Sequence, residues 1–240
     1  MLKEHTNPVA PQELHEERIV IVGNREPIGK DSVRFRLIYS GQLLGASRVD
    51  TRGSHKHEIR KSLSTQLQRL WETKQHLRRY ATQRGFYSLN STGRTIGGSP
   101  EKAQEQGYQA GLDSLSEIWV RKQARFIPLV TSEICVRCKV DILFLRPEEK
   151  NYILQGGDLD NRLKTLFDAF RVPKDTEQVL DQNTLFVLLE DDSLISEVSI
   201  VTDNLLLLPG RQEIHPTDAF LVIDVQLEPA SRGINSWVFE

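Results

Sequence analysis

Apolar positions along this chain switch between a period of two and a period near 3.6, and the switches outline its elements. Residues 18–22 (RIVIV) form a short apolar run suited to a strand, and Val33, Phe35, Leu37 and Tyr39 alternate with mostly polar neighbours. A Gly-, Ser- and Arg-rich loop is expected over 43–54. From His57 the period lengthens: Ile59, Leu63, Leu67, Leu70 and Trp71 make one stripe of a helix. Residues 85–111 carry Gly85, Gly93, Gly97, Gly98 and Pro100 with few large apolar residues, which predicts loop, followed by a short helix over 113–125.

The second half is more regular. Ile134, Val136, Cys138, Val140 and Ile142 alternate strictly, predicting a strand that ends near Arg146. Leu159, Leu163, Leu166, Phe167 and Phe170 mark one helix face, with Asp158 placed as N-cap and Val172-Pro173 as the stop. Further strands are expected over 184–189, 194–208 and 219–226. The pattern is α+β, a mixed β-sheet with at least one packed helix. It suits a flexible leader over 1–17 and one domain over 18–240, interrupted by a basic helical insertion at about 48–125.

Composition narrows the class. The chain has 240 residues, 38% hydrophobic and 27% charged, as in ordinary globular proteins. No apolar run approaches the roughly 20 residues of a membrane helix, and the polar first residues lack the apolar core of a secretion signal. Two cysteines build no disulfide framework, so a reducing, cytoplasmic setting is expected. The net charge of −2 is uneven: ten Lys or Arg face three acids between Arg48 and Arg84, giving +7 there and leaving −9 elsewhere. Such a block invites a polyanion, although a charge run is more often a solvated helix face.

Two acidic clusters change the picture most. Gly157-Asp158-Leu159-Asp160-Asn161 sits where a helix opens, and Glu190-Asp191-Asp192-Ser193 ends an apolar strand. Mg2+ or Mn2+ takes hard oxygen ligands, and Asp158, Asp160 and Asp192, with Asp191 alongside, could meet one ion. Lys164 follows Asp160 by four residues, on the same helix face, where it could balance the carboxylates or hold a phosphate. Alone, Asp158 reads as a helix cap and Asp191-Asp192 as a turn. Their joint occurrence favours a site.

The stretches Asp158-Leu159-Asp160-Asn161-Arg162-Leu163-Lys164, Leu166-Phe167-Asp168-Ala169 and Glu190-Asp191-Asp192-Ser193-Leu194-Ile195 resemble the RusA-type Holliday junction resolvases. In that family D-x-D-N-x-x-K leads a leucine-rich helix ending in D-A, followed by a strand ending in D-D-S. The likeness runs from about residue 134 to 226, with a weaker echo at 33–47. It implies a RusA-like core and a homodimeric, Mg2+-dependent endodeoxyribonuclease that acts on four-way junctions or other branched DNA in recombination and repair. Asp158, Asp160 and Asp192 would be metal ligands, Asp191 a supporting acid and Lys164 the essential lysine. Arg48, Arg52, Lys56, Arg60 and Lys61 would hold the DNA backbone without reading its sequence.

The stretches 48–125 and 173–182 have no counterpart in that resemblance. Two alternatives therefore stand beside junction resolution: a nuclease of the same fold retargeted by its insertion within a mobile-element or defence system, and a DNA-binding protein without catalysis. Other candidates are weaker. Cys135 and Cys138 have C-x-x-C spacing but no second pair for zinc, and on a strand they would face opposite ways. His55 and His57 are expected at the surface, with phosphate contact as the functional option. Trp71 and Trp119 are expected in the core, and 95–99 lacks the ending of a phosphate loop.

Overall fold

The structure is a computed structural model and describes residues 33–45, 52–93, 98–147, 159–174, 183–206 and 214–230. In chain order the elements are strand β1 (Val33–Gln42), helices α1 (Arg52–Thr73), α2 (Gln75–Ser91) and α3 (Pro100–Ile118), and strands β2 (Trp119–Arg121), β3 (Ala124–Val130) and β4 (Val136–Arg146). Helix α4 (Leu159–Phe170), strand β5 (Thr184–Leu189), a 3₁₀ turn (Asp192–Leu194), β6 (Ile195–Asn204) and β7 (Asp218–Pro229) follow. One sheet has the order β1-β7-β4-β6, with β7 antiparallel to both neighbours and β4 parallel to β6. The other has the order β2-β3-β5, antiparallel then parallel. The fold is α+β, with two mixed sheets rather than one.

The clearest periodicities hold. Along β4, Val136, Cys138, Val140, Ile142 and Phe144 are all buried, which is what period-2 patterning produces when one face meets a core. Every residue of the α1 stripe is buried as well: Ile59, Leu63, Leu67, Leu70 and Trp71. Trp119 is also buried. Helix α1 packs against β5, α4 and β1, so the first part of the basic stretch is built into the core. Gln66 of α1 both accepts the Ile38 amide at 2.9 Å and donates to the Ile38 carbonyl at 2.7 Å. The open edge of β1 is thereby occupied by a side chain.

The expected loop over 85–111 is instead two packed helices. Glycines that read as breakers serve close approach: a Cβ on Gly85 would sit 1.8 Å from the Gly107 carbonyl oxygen, and one on Gly111 would sit 1.8 Å from that of Ala81. Small residues here let two helix backbones nearly touch, a use of glycine that local pattern cannot distinguish from a turn. Ser99 caps α3 by accepting the Lys102 amide at 3.4 Å, with Pro100 at the first position.

The helix expected over 113–125 ends at Ile118, and the chain turns through Lys122 at φ 56° into β3. Pro128 disguised that strand. Pairing of β2 stops at Trp119 opposite Phe126, so among the described residues no strand flanks Pro128 on that side, where a carbonyl would want an amide. The loop over 43–54 is shorter than expected because α1 opens at Arg52, and the strand over 194–208 shortens to Ile195–Asn204. The expected strand at 18–22, residues 94–97 of the glycine-rich loop and the cap at Asp158 lie outside the described residues. No helix among the described residues is long and apolar enough to cross a membrane.

The helix contact makes a test. Gly85→Ala and Gly111→Ala should each cost about 3 kcal/mol of unfolding free energy by overpacking. Gly93→Ala, at φ 70° with no atom within 4 Å of the added carbon, should cost about 1 kcal/mol of backbone strain. Urea denaturation of the three variants measures both.

Candidate active site

Burial of Leu163, Leu166, Ala169 and Phe170 fixes which side of α4 faces inward. Asp160 and Lys164, four residues apart, are left together on the exposed side. Strand β5 ends at Leu189, and its exit is tied down by Glu190. The Glu190 amide donates to the Val130 carbonyl at 2.8 Å, and its carboxylate accepts the Ser132 amide and hydroxyl at 2.8 and 2.9 Å. Asp191 then caps the 3₁₀ turn, accepting the Ser193 amide at 3.0 Å, and Asp192 opens the turn with its side chain exposed.

This turn packs against both α4 and β4. The loop after β1 also reaches α4, for a Cβ on Gly45 would lie 3.5 Å from that of Asn161. Three segments far apart in sequence therefore meet, and they are the segments that carry the two acidic clusters and the weaker echo.

The acids of the clusters differ in what occupies them. Ser193, through hydroxyl and amide, holds the Asp191 carboxyl below its ordinary value, with smaller help from Asp192 and Lys174. Lys174 follows Pro173 in a segment whose sequence has no periodicity to announce it. Glu190 and Asp191 are thus engaged in holding the turn, while Asp160 and Asp192 remain exposed. Asp158, the expected third ligand, lies outside the described residues, and among the described residues no three His, Cys, Asp or Glu side chains are grouped as a metal ion would require. The donors present are carboxylate oxygens, which fits Mg2+ or Mn2+.

The basic residues expected on DNA divide. Arg48 and the side chain of Arg52 are outside the described set, and Lys61 is exposed. Lys56 instead pairs with Asp168 at 2.5 Å, and Arg171 pairs with the other oxygen at 2.6 Å. Arg60 is 1% exposed and donates to the Asp168 carbonyl at 2.8 Å. Contact with a DNA backbone was the expectation for Lys56 and Arg60, but the structure turns both inward, because a half-buried carboxylate at the end of α4 demands compensation. Burial alone would push Asp168 up, yet the hydrogen bonds from Lys56 and Arg171 outweigh it and hold the carboxyl below its ordinary value. Lys56→Met should therefore lower unfolding free energy by about 2 kcal/mol, the buried-pair cost reduced for partial exposure. The exposed Lys61→Met should stay within about 0.5 kcal/mol in the same denaturation experiment.

The histidines are a second correction. His55 and His57 are 8% and 4% exposed, not surface groups. His55 Nε2 accepts the Leu44 amide at 3.1 Å, fastening the loop after β1 to α1. Burial pushes His55 below its ordinary 6.5, against a smaller opposing pull from Glu58, and His76 moves the same way, through burial and Lys74. Above 6.5 both are neutral whether folded or not. Below it the unfolded chain takes up protons the folded one resists, so stability is lost as pH falls from 6.5 through the lower folded values. His55→Gln, which keeps an acceptor for Leu44, should flatten the fall of the melting temperature between pH 7 and about 5.5.

Cys135 sits in a left-handed turn at φ 52°, just before β4 rather than on it. Cys138 is fully buried, and burial pushes its thiol up to about 12, so it is inert packing. The chain matches no protein-family model, no curated protein and no solved structure.

Proposed function

We propose that this chain is a metal-dependent endonuclease that cleaves branched DNA, four-way junctions included. One observation carries the reading: α4 packs against the 3₁₀ turn after β5, and the side chains of Asp160, Lys164 and Asp192 stay exposed there while neighbouring Glu190, Asp191 and Asp168 are engaged in holding the frame. Exposed charged side chains at one junction of elements are the ones available for chemistry.

Asp160 and Asp192, with Asp158, would hold Mg2+ or Mn2+. When bound, such an ion supplies charge neutralisation on a transferring phosphate and a water made more acidic. Lys164 adds a positive charge on the same helix face, suited to a non-bridging phosphate oxygen. The amides at the start of α4 add donors for the same anion. Glu190 and Asp191 would act indirectly by fixing the turn that presents Asp192.

The test is incubation of the purified chain with labelled four-way junctions, flaps, duplex and single strands in Mg2+ or Mn2+. Paired symmetric nicks in the junction, reduced about 1,000-fold in Asp160→Asn and Asp192→Asn and about 100-fold in Lys164→Met, are expected. Cleavage of other DNA or of RNA alone would favour a retargeted nuclease. Binding without cleavage in either metal would favour a non-catalytic DNA-binding protein and sink the proposal.

A further inference from the structure

Helix α2 has a surface without acids. Its 17 residues include Arg78, Arg79 and Arg84 and no Asp or Glu. Two of those charges are met from other elements, Arg78 by Glu105 of α3 and Arg84 by Glu133 at 2.7 Å. Arg79 has no ion partner among the described residues. Gln75, Arg79, Gln83 and Tyr87 are all exposed. Their spacing of four puts them in one row about 18 Å long. Tyr87, at the end of that row, is 79% exposed.

Beside the row lies a cavity of about 380 Å³, lined by Arg78, Arg79, Thr82, Gln83 and Phe86 of α2 and Gln104 of α3. That volume falls in the range of small-ligand sites. Phe86 is seated in it by Gly107, where an added Cβ would sit 2.5 Å from the ring. The absence of a side chain on α3 thus leaves room for an aromatic ring in the wall of the cavity. The row and the cavity together offer one free guanidinium, several amides and two aromatic rings.

We infer that this surface binds the unpaired nucleotides of single-stranded DNA. Arg79 holds a phosphate, Tyr87 stacks on one base, and a neighbouring base enters the cavity against Phe86, its polar edge meeting the amides of Gln83 and Gln104. Each nucleotide brings one negative charge, one flat ring and one polar edge, which is the ratio of groups offered. Base–aromatic stacking contributes about 1–3 kcal/mol per base and accepts any sequence. In a duplex the base faces are already stacked on one another, so only unpaired nucleotides present them. An acidic peptide brings charge without rings, and Arg79 alone gives it little to hold. Helix α2 packs mainly on α3 and α1, so the surface is separate from the acids of the α4 junction.

The choice of DNA as partner rests on the nuclease reading, but the test does not require cleavage. Fluorescence anisotropy of a labelled oligothymidylate of about 12 nucleotides, titrated with the full chain in EDTA, decides it. An inactive enzyme leaves this result standing, and a strand that fails to bind leaves the acids untouched. Tyr87→Ala should weaken binding of the strand about tenfold and of its duplex with oligodeoxyadenylate less than about twofold, while Tyr87→Phe, which keeps the ring, should stay near wild type. Arg79→Gln should also weaken strand binding and lower the slope of log affinity against log salt by about 0.7, a slope that Tyr87→Ala leaves unchanged. Both side chains are exposed, so the melting temperature should hold in all three variants. No binding of the strand overturns the inference. So does an oligoglutamate bound as tightly, an affinity indifferent to Tyr87→Ala and Arg79→Gln, an equal loss for the duplex, or a Tyr87→Phe protein as weak as Tyr87→Ala.

Discussion

The placement of the candidate site depends on how one carboxylate is compensated. Asp168 is packed between α1 and α4, where an isolated charge would be costly. Lys56 and Arg171 each take one of its oxygens, and Arg60 takes the carbonyl of the same residue. These bonds lock α4 to α1 in both rotation and height. With the buried face of α4 fixed, the exposed positions of Asp160 and Lys164 follow from helix geometry alone. The residues that make the site available therefore lie about one turn from Lys164 and two from Asp160.

The same cluster revises what the charge asymmetry means. The stretch from Arg48 to Arg84 carries +7 in the sequence, but much of that charge meets acid within the fold. Lys56 meets Asp168, Arg78 meets Glu105 and Arg84 meets Glu133, three acids from outside the stretch. The exposed pairs add little stability, yet they shrink the field a polyanion would feel. Lys61 and Arg79 lie at the surface. The nucleic-acid reading accordingly rests on the acids at the α4 junction more than on the basic block.

What was legible in the sequence follows a physical line. Where one face of an element meets the core, periodicity reported it: β4, the α1 stripe and α4 all read correctly. Where the determinant is a contact with a distant backbone, it did not. Gly85 and Gly111 look like breakers because nothing local says that another helix lies against them. Pro128 looks strand-incompatible because nothing local says that β2 ends before it. Lys56 and His55 look like surface groups because their partners, Asp168 and the Leu44 amide, lie 112 and 11 residues away. Within the site, residue order suggested the meeting of the acidic segments. It carried no sign that Asp191 and Glu190 would be taken up in holding the turn.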